Sequence, residues 1–207
     1  MSSNYATQLL SLGSATLGES GATPLNPRIH PMWHGAQVAA PAYTVSCAPG
    51  DNLAIHAGVA RAPRGHVLVV AIDDSTERGF WGEVLTTGAE AMGIVALVID
   101  GTIRDLAAIE RHQFPIFARG IGLRGASKSG PGSTGGPVVI GDRTVTTGDW
   151  IVGDADGIVV IAAELLDAVL ATGLERSTKE EQFFDELRAG KTTVDLLALD
   201  VSSITQH

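Results

Sequence analysis

Two unbroken apolar runs of strand length, HVLVVAI (66–72) and IVALVID (94–100), mark the middle of the chain. Runs of this kind suit strands covered on both faces. Between them, residues 83–92 carry apolar positions at helical spacing and stop at Gly93. PAYTVSC (41–47) predicts a strand, APGDN a turn, and residues 53–62 a helix ended by PRG. DDSTERGFWG and GTIRD predict loops, with a short helix over 105–112 and a strand over 114–120. After the Gly/Ser loop LRGASKSGPGSTGG (123–136) the pattern changes. PVVIG, TVTTGDWIVGD and GIVVIAA predict short strands separated by turns, and residues 163–189 a long amphipathic helix. Leu165, Leu166, Val169, Leu170 and Leu174 mark a packing face on that helix. At the N-terminus a short helix over 4–13 is expected to break at SATLGESGAT, with Pro24 to Pro31 irregular. The tail from Thr192 is expected to pack on a neighbour or wander. The fold class is α/β: one domain over 1–207, with an α/β core, a β-rich C-terminal part and a long C-terminal helix.

Composition narrows the function classes. With 44% hydrophobic and 18% charged residues over 207 positions, the chain reads as globular. A domain of this size buries about 70% of its unfolded surface. The net charge of −9 leaves no basic stripe for a phosphate backbone, so no nucleic-acid partner is expected. The single cysteine, Cys47, excludes an intramolecular disulfide and a thiolate-rich metal site; its apolar surroundings favour a buried thiol. No signal peptide and no run long enough to span a membrane are visible, so a cytoplasmic protein is expected.

The chemistry concentrates in WGEVLTTGAEAMGIVALVIDGTIRD (81–105), where Glu83 precedes the pair Arg104-Asp105 by 20 intervening residues. In open α/β sheets ligands sit beyond the carboxyl ends of the strands, and Asp100 to Asp105 lies at such an end. The first backbone N–H groups of a helix starting at Gly82-Glu83-Val84-Leu85 are unpaired and suit a carboxylate. A plain helix start with Glu in its first turn explains the same residues. Arg104 and Asp105 equally suit a surface turn with Asp105 capping the next helix. On the functional reading Asp105 binds a hard cation such as Mg²⁺, and Arg104 clamps a carboxylate or a developing enolate.

Residues 81–105 resemble the active-site segment of the class II pyruvate aldolases acting on 4-hydroxy-4-methyl-2-oxoglutarate and 4-carboxy-4-hydroxy-2-oxoadipate, within the wider RraA-like family. APGDN, HVLVV, WGEVL, VIDGTIRD, FPIFARG, KSGPG, GDWIVGDADGIVVI and the KEE…LRAG helix follow in the family's order from about Val38 to Gly190. The resemblance implies Asp105 as direct metal ligand and Glu83 as a ligand through water; many relatives carry Asp at that position. It implies Gly82 to Leu85 as the cradle of the pyruvyl carboxylate and Arg104 at the keto oxygen. A glutamate from a neighbouring subunit's C-terminal helix, Glu180 by register with Glu181 close behind, completes the metal shell. The implied cofactor is Mg²⁺ or Mn²⁺ and the implied assembly a homotrimer or homohexamer. The implied reaction is retro-aldol cleavage of a 4-hydroxy-2-oxo acid to pyruvate and a second carbonyl compound, with oxaloacetate decarboxylation on the same machinery.

Other residues carry less. His56 suits a packed helix histidine; Asp51-Asn52 suit equally a turn or a place facing the site across the sheet; and Lys128 suits either a solvated loop or the distal carboxylate of a substrate. His30 and His34 share an i,i+4 spacing, but Pro31 between them argues against a helix. His66, His112 and His207 show no zinc-type pairing. Asp154, Asp156 and Gly157 form a D-x-D-G turn without the rest of a calcium loop. Two further functions stay open: a non-catalytic RraA-type protein that binds a ribonuclease, and a decarboxylase or lyase for another small oxo acid. A methyltransferase is not supported, because no Gly-rich S-adenosylmethionine loop follows a first strand.

Overall fold

The computed structural model describes residues 2–72 and 77–205. In chain order the elements are α1 (Ser2–Gly18), β1 (Thr23–Pro24), β2 (His30–Pro31), β3 (Val38–Cys47), α2 (Leu53–Arg61), β4 (Val67–Ile72), β5 (Gly79–Trp81), α3 (Glu83–Met92), β6 (Ala96–Ile99) and β7 (Thr102–Ile103). Then follow α4 (Leu106–His112), β8 (Ile116–Ala118), β9 (Gly120–Ile121), β10 (Gly132–Thr134), β11 (Val138–Ile140), β12 (Arg143–Val145), β13 (Trp150–Asp154), β14 (Gly157–Ile161), α5 (Leu166–Arg188) and α6 (Thr193–Leu196).

Among the described residues, nine strands join in one sheet of order β1-β14-β13-β3-β4-β6-β8-β2, with β10 also paired to β3. β3, β4, β6 and β8 run parallel; β13, β14, β1 and β2 flank them antiparallel. The unbroken apolar runs are explained by this position. In β4, Leu68, Val70 and Ile72 pack under α2 and α3, while Val67 and Val69 enter a second core beneath β11. Both faces are covered, so no residue of the strand can be polar. A third cluster forms where Leu9 and Leu17 of α1 meet Val152, Val159, Val169 and Leu170.

β3 is long enough to pair twice. Its first half carries β13 and its second half β10, in register from Val45 to Cys47. The second pairing folds residues 127–131 back onto the turn after β3, which places Lys128 beside α2.

Several expectations are revised. Ser14 to Gly18 continue α1 past a kink at Gly13 (φ 76°), because the Ser14 N–H and hydroxyl both bond the Asp154 carboxylate. Asp154 also accepts the Asp156 N–H at 3.0 Å, a turn and not a cation loop. The irregular Pro24–Pro31 stretch lends two-residue edge strands to β14 and β8, and the Gly/Ser loop contains β10. DDSTERGFWG contains β5, and its residues 73–76 lie outside the described residues, as does His207. GTIRD contains β7. Leu166, Val169 and Leu170 are buried as expected, but Leu165 and Leu174 face solvent. The tail is held at its start by a capping box, in which Thr192 and Asp195 bond each other's backbone N–H. Among the described residues no helix is long and apolar enough to cross a membrane.

Candidate active site

Beyond the carboxyl ends of β4, β6 and β8 the chain forms a smaller parallel sheet of order β5-β7-β9. Its register sets Trp81 opposite Ile103. Gly82-Glu83 and Arg104-Asp105 therefore leave two adjacent strands side by side. The 20-residue interval between the acid and the pair is the length of one excursion through α3 and β6.

Glycine makes the juxtaposition possible. A Cβ on Gly82 would collide with Asp105 Oδ2, and one on Gly79 would lie 2.7 Å from Arg104 Cδ. Gly82 caps α3 in extended conformation, leaving the Glu83, Val84 and Leu85 N–H groups without intrahelical partners. The Glu83 N–H donates to Asp105 Oδ2 at 3.1 Å.

Asp105 itself sits in the left-handed region (φ 60°), uncommon for a residue with a Cβ. It occupies the N-cap position of α4, but its side chain makes no cap hydrogen bond. The backbone turns the carboxylate towards the first turn of α3 instead, so the capping expectation fails for that physical reason. Arg104 Nε lies 3.8 Å from Asp105 Oδ2, and both side chains are about half exposed.

The two residues open onto a cavity of about 240 Å³ that also meets Gly82, Val84 and Leu85. Its lining also includes Asn52, His56 and Lys128. Asn52 is buried; its amide donates to the Phe80 carbonyl at 2.8 Å, while Oδ1 has no partner. His56 Nε2 is also buried and unpartnered. Burial, followed by the nearby Lys128 charge, pushes the His56 pKa down, so the ring is neutral at physiological pH. The available signal was the i,i+4 spacing of Asn52 and His56 at the start of a helix, which puts both on one face.

Glu83 is divided. Its backbone belongs to the site, but its carboxylate is turned outward, with Oε1 3.7 Å from His112 Nε2. His112 Nδ1 meets Glu90 Oε2 at 2.8 Å, one face of α3 further along. Glu180 pairs with Arg176 on α5 at 2.9 Å and does not line this cavity within its own chain. The expected third acid therefore belongs, if anywhere, to a neighbour's site.

Asp100, at the end of β6, takes a different role. It is buried and accepts from Arg28 Nη2 at 2.6 Å, with Arg119 Nε at 3.4 Å and the Gly141 N–H at 3.2 Å. Such a saturated ion cluster ties the loop before β2 to the sheet. Cys47 is buried, and burial pushes its thiol up to about 12.

The donor set suits a hard divalent ion with few protein ligands. Among the described residues no three His, Cys, Asp or Glu side chains are gathered to hold a metal. Among the described residues Asp105 Oδ1 accepts no hydrogen bond, and Asn52, whose Oδ1 is unpartnered, lines the same cavity. Mg²⁺ takes one or two carboxylates and keeps several waters, which this arrangement allows.

The comparisons place the chain in a family. A 33% identical protein of Halalkalibacterium halodurans, aligned over 95% of this chain and 92% of its own, carries the provisional name 4-hydroxy-4-methyl-2-oxoglutarate aldolase. An uncharacterized protein from Pseudomonas syringae pv. tomato superposes with a TM-score of 0.82 at 26% identity, over 93% of this chain and 92% of its own. Streptomyces coelicolor RraAS2, described as an unusual member of the RNase ES inhibitor RraA family, gives 0.77 at 28% identity, over 88% of this chain and 96% of its own. The RraA-like family profile, described as Aldolase/RraA, matches residues 14–160. By sequence and by fold, the chain belongs to the RraA-like family.

Proposed function

We propose that this chain is a divalent-metal-dependent aldolase. It cleaves a 4-hydroxy-2-oxo acid of the 4-hydroxy-4-methyl-2-oxoglutarate type to pyruvate and a second carbonyl compound, and also decarboxylates oxaloacetate. The observation that carries the reading is Asp105. Its left-handed backbone takes the carboxylate off the α4 cap and sets it beside Arg104 at the mouth of a cavity.

Asp105 would hold Mg²⁺ or Mn²⁺ directly, Glu83 through water after turning from His112, and Glu180 from a neighbouring copy in a homotrimer or homohexamer. When bound, the ion polarises the 2-keto group as a Lewis acid. The Val84 and Leu85 N–H groups bind the pyruvyl carboxylate at the helix N-terminus. Arg104 faces the keto oxygen and stabilises the charge that gathers there as the C3–C4 bond breaks. A water takes the proton of the 4-hydroxyl, and the enolate is then protonated to pyruvate. Lys128 meets the distal carboxylate across the cavity. No Schiff base is involved.

The test is pyruvate release from 4-hydroxy-4-methyl-2-oxoglutarate and from oxaloacetate, with Mg²⁺, with EDTA, and with Asp105→Ala. Release that needs metal and disappears in the variant supports the reading. A second reading, favoured by the likeness to RraAS2, is a ribonuclease-binding regulator. It gains if the folded protein releases no pyruvate from either acid and binds a ribonuclease.

A further inference from the structure

Asp51 stands out by how completely it is used. It is only 2% exposed. Oδ2 accepts three hydrogen bonds, from the Ser127 hydroxyl at 2.7 Å, the Ser129 N–H at 2.7 Å and the Gly130 N–H at 2.8 Å. Oδ1 accepts the Leu53 N–H at 2.8 Å. The backbones interlock as well: the Ser127 N–H donates to the Gly50 carbonyl and the Asn52 N–H to the Ser127 carbonyl, both at 2.9 Å. A Cβ on Gly130 would come within 2.9 Å of Asp51 Cγ, so the approach needs glycine.

Ser127 and Ser129 flank Lys128, and both donate to the same oxygen. Lys128 is thus the apex of a turn gripped from either side, and that apex lines the cavity of Arg104 and Asp105. A lysine stem is flexible, and holding its backbone at both neighbours lowers the ordering cost of placing the ammonium.

We propose that Asp51 is the positioning residue of this site: its carboxylate grips residues 127–130 and thereby holds Lys128 over the cavity, where the ammonium meets the distal carboxylate of a dicarboxylic 2-oxo acid. The inference rests on the reading of the site given above and extends it to a residue that touches no substrate. Asp51 and Lys128 then form one functional unit, and removing either loses the same contact.

The experiment is a double-mutant cycle on the full-length protein with Mg²⁺, using Asp51→Asn, Lys128→Met and the pair. Asn keeps the shape of Asp51 but accepts on one side only, so its NH2 must face either the Leu53 N–H or the donors of residues 127–130. KM and kcat are measured for 4-hydroxy-4-methyl-2-oxoglutarate, and dissociation constants for 2-oxoglutarate by tryptophan fluorescence, since Trp81 lines the cavity. Each single variant is expected to raise KM and the dissociation constant about tenfold, the loss of one charge-assisted contact. The kcat should fall less than KM rises. The double variant should be no worse than Lys128→Met alone.

Multiplying effects, or an Asp51→Asn variant that loses kcat at unchanged KM, would overturn the proposal and leave Asp51 a fold residue. If Asp51→Asn does not fold, Gly130→Ala loosens the same grip from the loop side and decides the question by the same measures. Coupled loss of 2-oxoglutarate binding in a protein that releases no pyruvate sinks the aldolase reading and keeps this one. Pyruvate release by the wild type with equal dissociation constants in Asp51→Asn does the reverse. A wild type that neither binds nor cleaves overturns both.

Discussion

Asp105 opens onto the cavity and Asp51 lies buried behind its Lys128 side, and the protein uses the two carboxylates differently. Asp51 is buried, and each of its oxygens is taken by the chain's own donors. Asp105 is about half exposed and gives the protein one oxygen, to the Glu83 N–H. The first carboxylate fixes a loop; the second keeps an oxygen for something outside the chain. Identical chemistry thus grips the chain or is left open to a ligand according to how many local donors reach it. Asp100, saturated by two arginines and the Gly141 N–H, falls with Asp51.

The largest effect that tests this contrast is on turnover. Asp105→Ala should lower pyruvate release by more than about 10³-fold, because it removes the group that would hold the cation. Its melting temperature should stay within about 2 °C of the wild type, because little packing is lost at a half-exposed side chain. Asp51→Ala should show the reverse order of damage, losing about 2–4 kcal/mol of stability as three backbone N–H groups are left unpaired. Denaturant unfolding beside the activity assay reads both, and an Asp105→Ala protein that unfolds would erase the distinction. Next in size, Arg104→Lys should cost about 10²-fold in kcat, since an ammonium cannot reproduce the guanidinium fork. Gly82→Ala should cost about 10-fold or more, because the new methyl occupies the place of Asp105 Oδ2.

A smaller effect lies on the acid side. Burial works to raise the Asp51 pKa, but its four hydrogen bonds outweigh it and hold the carboxyl well below its ordinary 3.8. A pKa depressed by folding adds stability that is fully present above the unfolded value and is lost as pH falls towards the folded one. The unfolding free energy should therefore decline from about pH 4 downward, and Asp51→Asn should flatten that limb. An unchanged acid limb in the variant would mean that other carboxylates govern it.

The parallel core was legible because a strand covered on both faces must be apolar throughout, and 66–72 and 94–100 could satisfy nothing else. The Glu83-to-Arg104 interval was legible for a related reason: one βαβ excursion has a nearly fixed length. The short edge strands at 23–24 and 30–31 were hidden, since two paired residues leave no periodicity and proline speaks against a ladder. Asn52 and Lys128 were each offered to the site by the sequence, but their meeting with His56 in one wall was not legible, because it is assembled by β10 pairing with β3, a contact between segments about 87 residues apart in register. The sequence left Asp105 between a helix cap and a metal ligand, because residue type suits both, whereas the folded backbone shows that its side chain makes no cap hydrogen bond.

The alkaline limb supplies the smallest test, through Cys47. It is buried against the helix that carries Asn52 and His56, and burial raises its thiol to about 12 from 9.0. At pH 8 only about one native molecule in ten thousand carries the thiolate, which is the attacking form. Native protein should therefore resist iodoacetamide at pH 8, while denatured protein takes up one equivalent. The sign of the linkage follows from the same shift. A thiol whose pKa is raised by folding contributes stability below its unfolded value, and that contribution fades as pH rises through 9 towards 12. Cys47→Ala should cost about 1 kcal/mol at pH 7 for the lost packing and show a flatter decline above pH 9. Rapid alkylation of the native protein would place the thiol in solvent and undo the contrast between a sealed core and an open site one turn of helix away.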